Sequence, residues 1–102
     1  MKESFSVSIP RFKGSPEQFA QALALLERRI VESNIVRVYE ETAVPIVKLI
    51  HKPEESTPTF QLLLGEKTFL TGAAGGTNLL IMRTLRGAFM SALSAVISNE
   101  EK

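Results

Sequence analysis

The chain has 102 residues, and its 12 Lys plus Arg nearly balance 11 acidic residues; this leaves room for one core and none of the field that draws a protein onto duplex DNA. All the acids are Glu, Cys and Trp are missing, and His51 is the single histidine. Disulfide scaffolds, thiolate zinc sites, Cys nucleophiles and any triad or metal centre that needs Asp are thereby excluded, and no cofactor is expected. The start, MKESFSVSIP, has no apolar signal core, and no apolar run is read as reaching the roughly 20 residues of a bilayer span. A soluble, cytoplasmic protein is expected.

In chain order, residues 4–9 alternate Ser with Phe5, Val7 and Ile9, the period of a strand with one buried face. Ser15, Pro16 and Gln18 supply a helix start: an N-cap, a proline at the first helical position and a Gln to complete a capping box. The helix, over 16–33, buries Phe19, Leu23, Leu26 and Ile30 with Ala22 beside them. Ser33 and Asn34 close it. The β-branched run 35–39 and the run 44–51 predict two strands joined tightly, with Pro45 at an edge because it cannot donate to a ladder. KPEESTP, residues 52–58, reads as an exposed loop. Residues 59–64 and 67–71 flank Gly65 and Glu66 and predict a hairpin. A last helix runs over 77–98, with Met82, Leu85, Phe89, Leu93 and Val96 as its core stripe. The expected fold is α+β in two layers, β-α-β-β-β-β-α, with one antiparallel sheet of four or five strands and both helices on one face.

Two features of residues 71–98 compete as sites. Gly72, Gly75 and Gly76 could form an anion cradle at the start of the last helix, where N–H groups and the helix dipole favour negative charge. The spacing fits neither a phosphate loop nor a dinucleotide loop; GAAG fits the GxxG of a KH-type loop, which joins two helices, whereas a strand precedes it here. Glycines that let the chain reverse before Thr77 or Asn78 caps the helix account for the pattern without a ligand. The second feature is a stripe of small residues, Thr84, Gly87, Ala88, Ser91, Ser94, Ala95 and Ser98, which lets a second helix approach closely. Either the first helix covers it, or a partner does. Met90 and Ile97, beyond the core stripe, favour a partner, and the candidate interface is Arg83, Gly87, Met90, Ser91, Ser94, Ala95 and Ile97.

Arg28 with Arg29, and Arg83 with Arg86, could touch RNA phosphates together with the glycine turn, although solvated arginines paired with Glu are commoner. His51 has no second ligand-type residue at usable spacing and reads as a loop-end histidine. Glu40 and Glu41 point to opposite faces of a strand and form no acid/base pair. No coherent catalytic set emerges, so no enzyme is expected.

Two stretches resemble known families. TAVPIVKL, residues 42–49, with the later TGAAGGTNLLIM looks like fragments of poly(A) polymerases, but those need three carboxylates, and Phe60, Gln61 and Leu62 stand where one would follow the strand. FSVSIPRFKGSPEQFAQALALL, residues 5–26, and LIMRTLRGAFMSALSAVIS, residues 80–98, resemble the small dimer-forming subunit of the KEOPS complex, which assists threonylcarbamoyladenosine modification of tRNA. Ile9 and Pro10, the helix from Pro16, and Leu85 with Arg86 carry the likeness. The stretch 42–58 is longer than that pattern, and Gly-Gly-Thr-Asn stands where an Asp commonly precedes the last helix. The resemblance implies a non-enzymatic scaffold subunit that forms a homo- or heterodimer, docks on the catalytic subunit of a tRNA-modifying complex and has tRNA as client. The alternative is a small RNA-binding module.

Overall fold

The computed structural model describes residues 3–33, 35–71 and 77–100. Its elements follow the expected order: β1 (Glu3–Ser8), α1 (Pro16–Glu32), β2 (Val36–Val38), β3 (Val47–His51), β4 (Thr59–Leu64), β5 (Thr68–Leu70) and α2 (Asn78–Glu100). The protein is α+β, with antiparallel strands and two helices.

The expectation of a single sheet is corrected. Three strands form one sheet in the order β1-β4-β3, and β2 and β5 form a separate two-stranded ribbon. The hairpin expected at Gly65 and Glu66 is a turn, closed by the Thr68 N–H on the Gly65 carbonyl at 3.0 Å, but it leads from one sheet to the other. Likewise β2 and β3 are not partners: after β2 the chain turns, with the Ala43 N–H on the Glu40 carbonyl at 3.0 Å, and re-enters the larger sheet.

Period-2 alternation sorts the larger sheet into two faces. Phe5, Leu62 and Leu49 lie in one cross-strand row, Val7, Phe60 and His51 in the next, and both rows face the helices. Ser4, Ser6, Lys48 and Ile50 point the other way and are exposed. α1 packs on the β3 side, α2 on the β1 side, and the two helices pack on each other.

α1 is held at its start by the expected capping box: Ser15 Oγ accepts from the Gln18 N–H and Gln18 Oε1 accepts from the Ser15 N–H. Its stripe of Phe19, Ala22, Leu23, Leu26 and Ile30 is buried as read. Ser33 closes it, its hydroxyl donating to the Ile30 carbonyl. Asn34 lies outside the described residues. In α2, Ile81, Leu85, Phe89, Ala92, Leu93 and Val96 are buried, while Met82 is half-buried at the margin. The middle of the core is aromatic: Phe89 lies 4.8 Å from Phe19 and 5.4 Å from Phe60 between ring centroids.

α2 also corrects the reading from apolar runs. By length and composition Leu79–Glu100 could cross a membrane, with mean hydropathy 1.4, and 33% of that window is buried. The six residues it buries form one stripe against the sheet and α1, and the rest of the window is half-buried or exposed.

Candidate functional site: the outer face of the last helix

The helices run antiparallel. Gln18 Nε2 donates to Glu100 Oε2 at 2.8 Å, and eleven residues further along α1 the Arg29 guanidinium reaches back to Ser91 Oγ at 3.4 Å. This arrangement divides the small-residue stripe. Thr84, Ala88 and Ala95 are half-buried and Ala92 is fully buried, on the flank where Ala88 lies near Leu26 and Ile30 of α1. Small side chains there let two helices of one chain pack tightly. Gly87, Ser94 and Ser98 lie about one quadrant further round and are exposed; at Gly87 a Cβ would meet nothing within 4 Å.

The exposed part of the stripe is bordered by apolar side chains. Leu79 is 60% exposed, Leu80 49% and Met90 44%, and Arg83 stands among them. Ile97 is not part of this exposed set, because it is half-buried against the core. Leu79 and Leu80 belong to the face although the sequence reading passed over them. Their signal was available: Leu79, Leu80, Ile81 and Met82 are four consecutive apolar residues, and at 100° per residue no helix can bury all four on one side.

The arginines do not gather. Arg28 and Arg29 are on α1, and Arg29 is engaged with Ser91. Arg86 donates from Nε to the Ser8 carbonyl at 3.1 Å, which anchors it to the β1 flank of α2, about 140° around the helix from Ser91. Arg83 is exposed. Gly72, Gly75 and Gly76 lie outside the described residues, so the cradle reading has no geometry. Thr77, just after them, caps α2: its Oγ1 accepts from the Leu80 N–H at 3.3 Å.

Glu40 sits in the turn after β2 and pairs with Lys67 Nζ at 2.7 Å. Among the described residues no three of His, Cys, Asp and Glu converge as a metal site would require. No family model matches the chain, nor does any curated protein or solved structure.

Proposed function

We propose that this protein is a non-catalytic subunit that associates with a second copy of itself through the outer face of α2. One observation carries the reading: Leu79, Leu80 and Met90 project from a helix whose opposite stripe is already buried, around a glycine with open space above it. Gly87 weakens the helix by roughly 1 kcal/mol relative to alanine, and no neighbour among the described residues requires it. A helix crossing at Gly87 would use the missing side chain, and the apolar residues above and below would supply the buried area.

The likeness of residues 5–26 and 80–98 to the small KEOPS subunit extends the proposal: by that analogy the dimer is cytoplasmic, docks on a catalytic subunit and assists tRNA modification. Of the arginines that an RNA-binding module would use, Arg29 and Arg86 are hydrogen-bonded within the chain.

The test is the mass in solution. Light scattering should show wild type growing from monomer to dimer with concentration, while Met90→Glu and Gly87→Leu remain monomeric and, when dilute, melt no lower than wild type. Wild type that stays monomeric up to about 1 mM would sink self-association.

A further inference from the structure

A second feature lies in the loop after β1. Among the described residues Arg11 is the one non-glycine residue with a left-handed backbone, at φ 60°. Such a conformation is unfavourable for a residue with a Cβ and persists where the surroundings enforce it. Here the next residue supplies the enforcement. The Phe12 ring meets Phe19 edge-on, 5.2 Å between centroids, and reaches Phe89 at 6.4 Å. Gly14 lets the loop close, since a Cβ there would lie 2.8 Å from both Phe12 Cζ and Gln18 Oε1.

Between this loop, the start of α1 and the end of β3 is a cavity of about 320 Å³, lined by Phe12, Gly14, Pro16, Phe19, His51 and Pro58. That volume is at the small end of ligand pockets. Among the described residues its one polar side chain is His51, half-buried at the end of β3 with its ring 4.5 Å from that of Phe19. The imidazole nitrogens make no side-chain hydrogen bond among the described residues, and no buried side-chain nitrogen or oxygen there lacks a partner. Arg11 and Lys13 bracket Phe12 in the loop and Lys52 follows His51. The nearby acids are Glu17 in the first turn of α1, Glu100, which accepts from Gln18 Nε2 at 2.8 Å, Glu55, and Glu54, which pairs with Lys52 at 3.2 Å. Among the described residues no carboxylate lines the cavity.

We propose that this cavity binds a carboxylic acid with an aryl or branched-alkyl body. The apolar body fills the space between Phe12, Phe19 and the two prolines, and the carboxylate accepts a hydrogen bond from the His51 ring, with the loop cations adding attraction. Two sources offer this chemistry, a free small acid and the C-terminus of a peptide. The site is independent of the α2 face, and either can fail without the other.

The experiment is an amide-resolved NMR titration of the full chain with phenylacetate, phenylacetamide and the dipeptide alanyl-phenylalanine. Phenylacetate should saturate shifts at Phe12, Phe19 and His51 with Kd of about 1 mM, and at least about fivefold tighter than the amide. His51→Phe, which keeps a ring against Phe19 and removes the donor, should abolish that preference while the melting temperature holds, and Gly14→Ala, which crowds Phe12, should weaken both ligands. A tighter dipeptide assigns a peptide C-terminus; a tighter phenylacetate assigns a free acid. Equal binding of acid and amide, a preference that survives in His51→Phe, or no saturation up to about 20 mM overturns the proposal.

Discussion

Gly65 and Gly87 are the same residue type serving opposite needs, and the difference is measurable. Gly65 sits where the turn after β4 crosses the segment entering β3: its N–H donates to the Ile46 carbonyl at 3.0 Å, and an added Cβ would lie 2.8 Å from Ile46 Cβ. That atom is fixed to the backbone and cannot swing aside. Gly65→Ala should therefore lower stability by roughly 1–3 kcal/mol in denaturant unfolding. Gly87→Ala meets nothing and should raise the stability of the dilute monomer by up to about 1 kcal/mol. The sequence puts Gly65 in a turn and Gly87 inside a helix but shows the neighbour of neither, because that of Gly65 comes from nineteen residues earlier and Gly87 has none among the described residues. Glu54 gives a prediction of a different kind. A backbone hydrogen bond first, and Lys52 second, hold its carboxyl below its ordinary value. Whatever it adds to stability is thus present at neutral pH and is lost as pH falls through that lowered value. An NMR titration of the carboxyl carbon should show the depressed midpoint, and Lys52→Ala should move it part of the way back.

Among the elements, the helices were legible and the strand partners were not. A helix is specified within itself, and Ser15, Pro16, Gln18 and the stripe from Phe19 to Ile30 marked α1 to within a residue at its end. A strand is specified by its partner, which may be anywhere in the chain. Gly65 and Glu66 look locally like a hairpin turn, yet β4 is taken up by β1 and β3, and β5 is left to pair with β2. The α2 site was half legible: the small stripe was visible, but which part α1 would cover depended on a helix packing no local pattern encodes. What joins the two sheets is also non-local. The Ile46 N–H donates to the buried Thr68 Oγ1 at 2.9 Å, linking the entry to β3 with the start of β5. Thr68→Val keeps the shape and removes the acceptor, so it should cost about 1–3 kcal/mol for the stranded N–H. Thr68→Ser, which keeps the oxygen, should recover most of the loss in the same denaturant melt.

For the whole molecule, the division into a three-stranded sheet and a two-stranded ribbon sets unequal local stability. The larger sheet carries Phe5, Val7, Phe60, Leu62 and Leu64, all buried under both helices, and β4 is bonded on both sides. The ribbon contributes only half-buried Ile35, Val36 and Leu70 to the core, and its outer face shows Tyr39 stacked on Phe69 at 4.5 Å. Two strands with so little covered surface are marginal alone, so the ribbon's order depends on those contacts and on Thr68. The ribbon should therefore open without the rest. The amide of Tyr39, bonded to the Lys67 carbonyl, and that of Thr71, bonded to the Ile35 carbonyl, report on it directly. In hydrogen exchange they should lose protection at least about a hundredfold faster than the amides of Phe60 and Leu62, which open only when the domain unfolds. Thr68→Val should speed Tyr39 and Thr71 further by more than it speeds Leu62, because it loosens the link between sheets before it loosens the core. Equal protection across ribbon and sheet, in wild type and variant alike, would show one cooperative unit and would mean that Ile35, Val36 and Leu70 hold the ribbon more firmly than their partial burial implies.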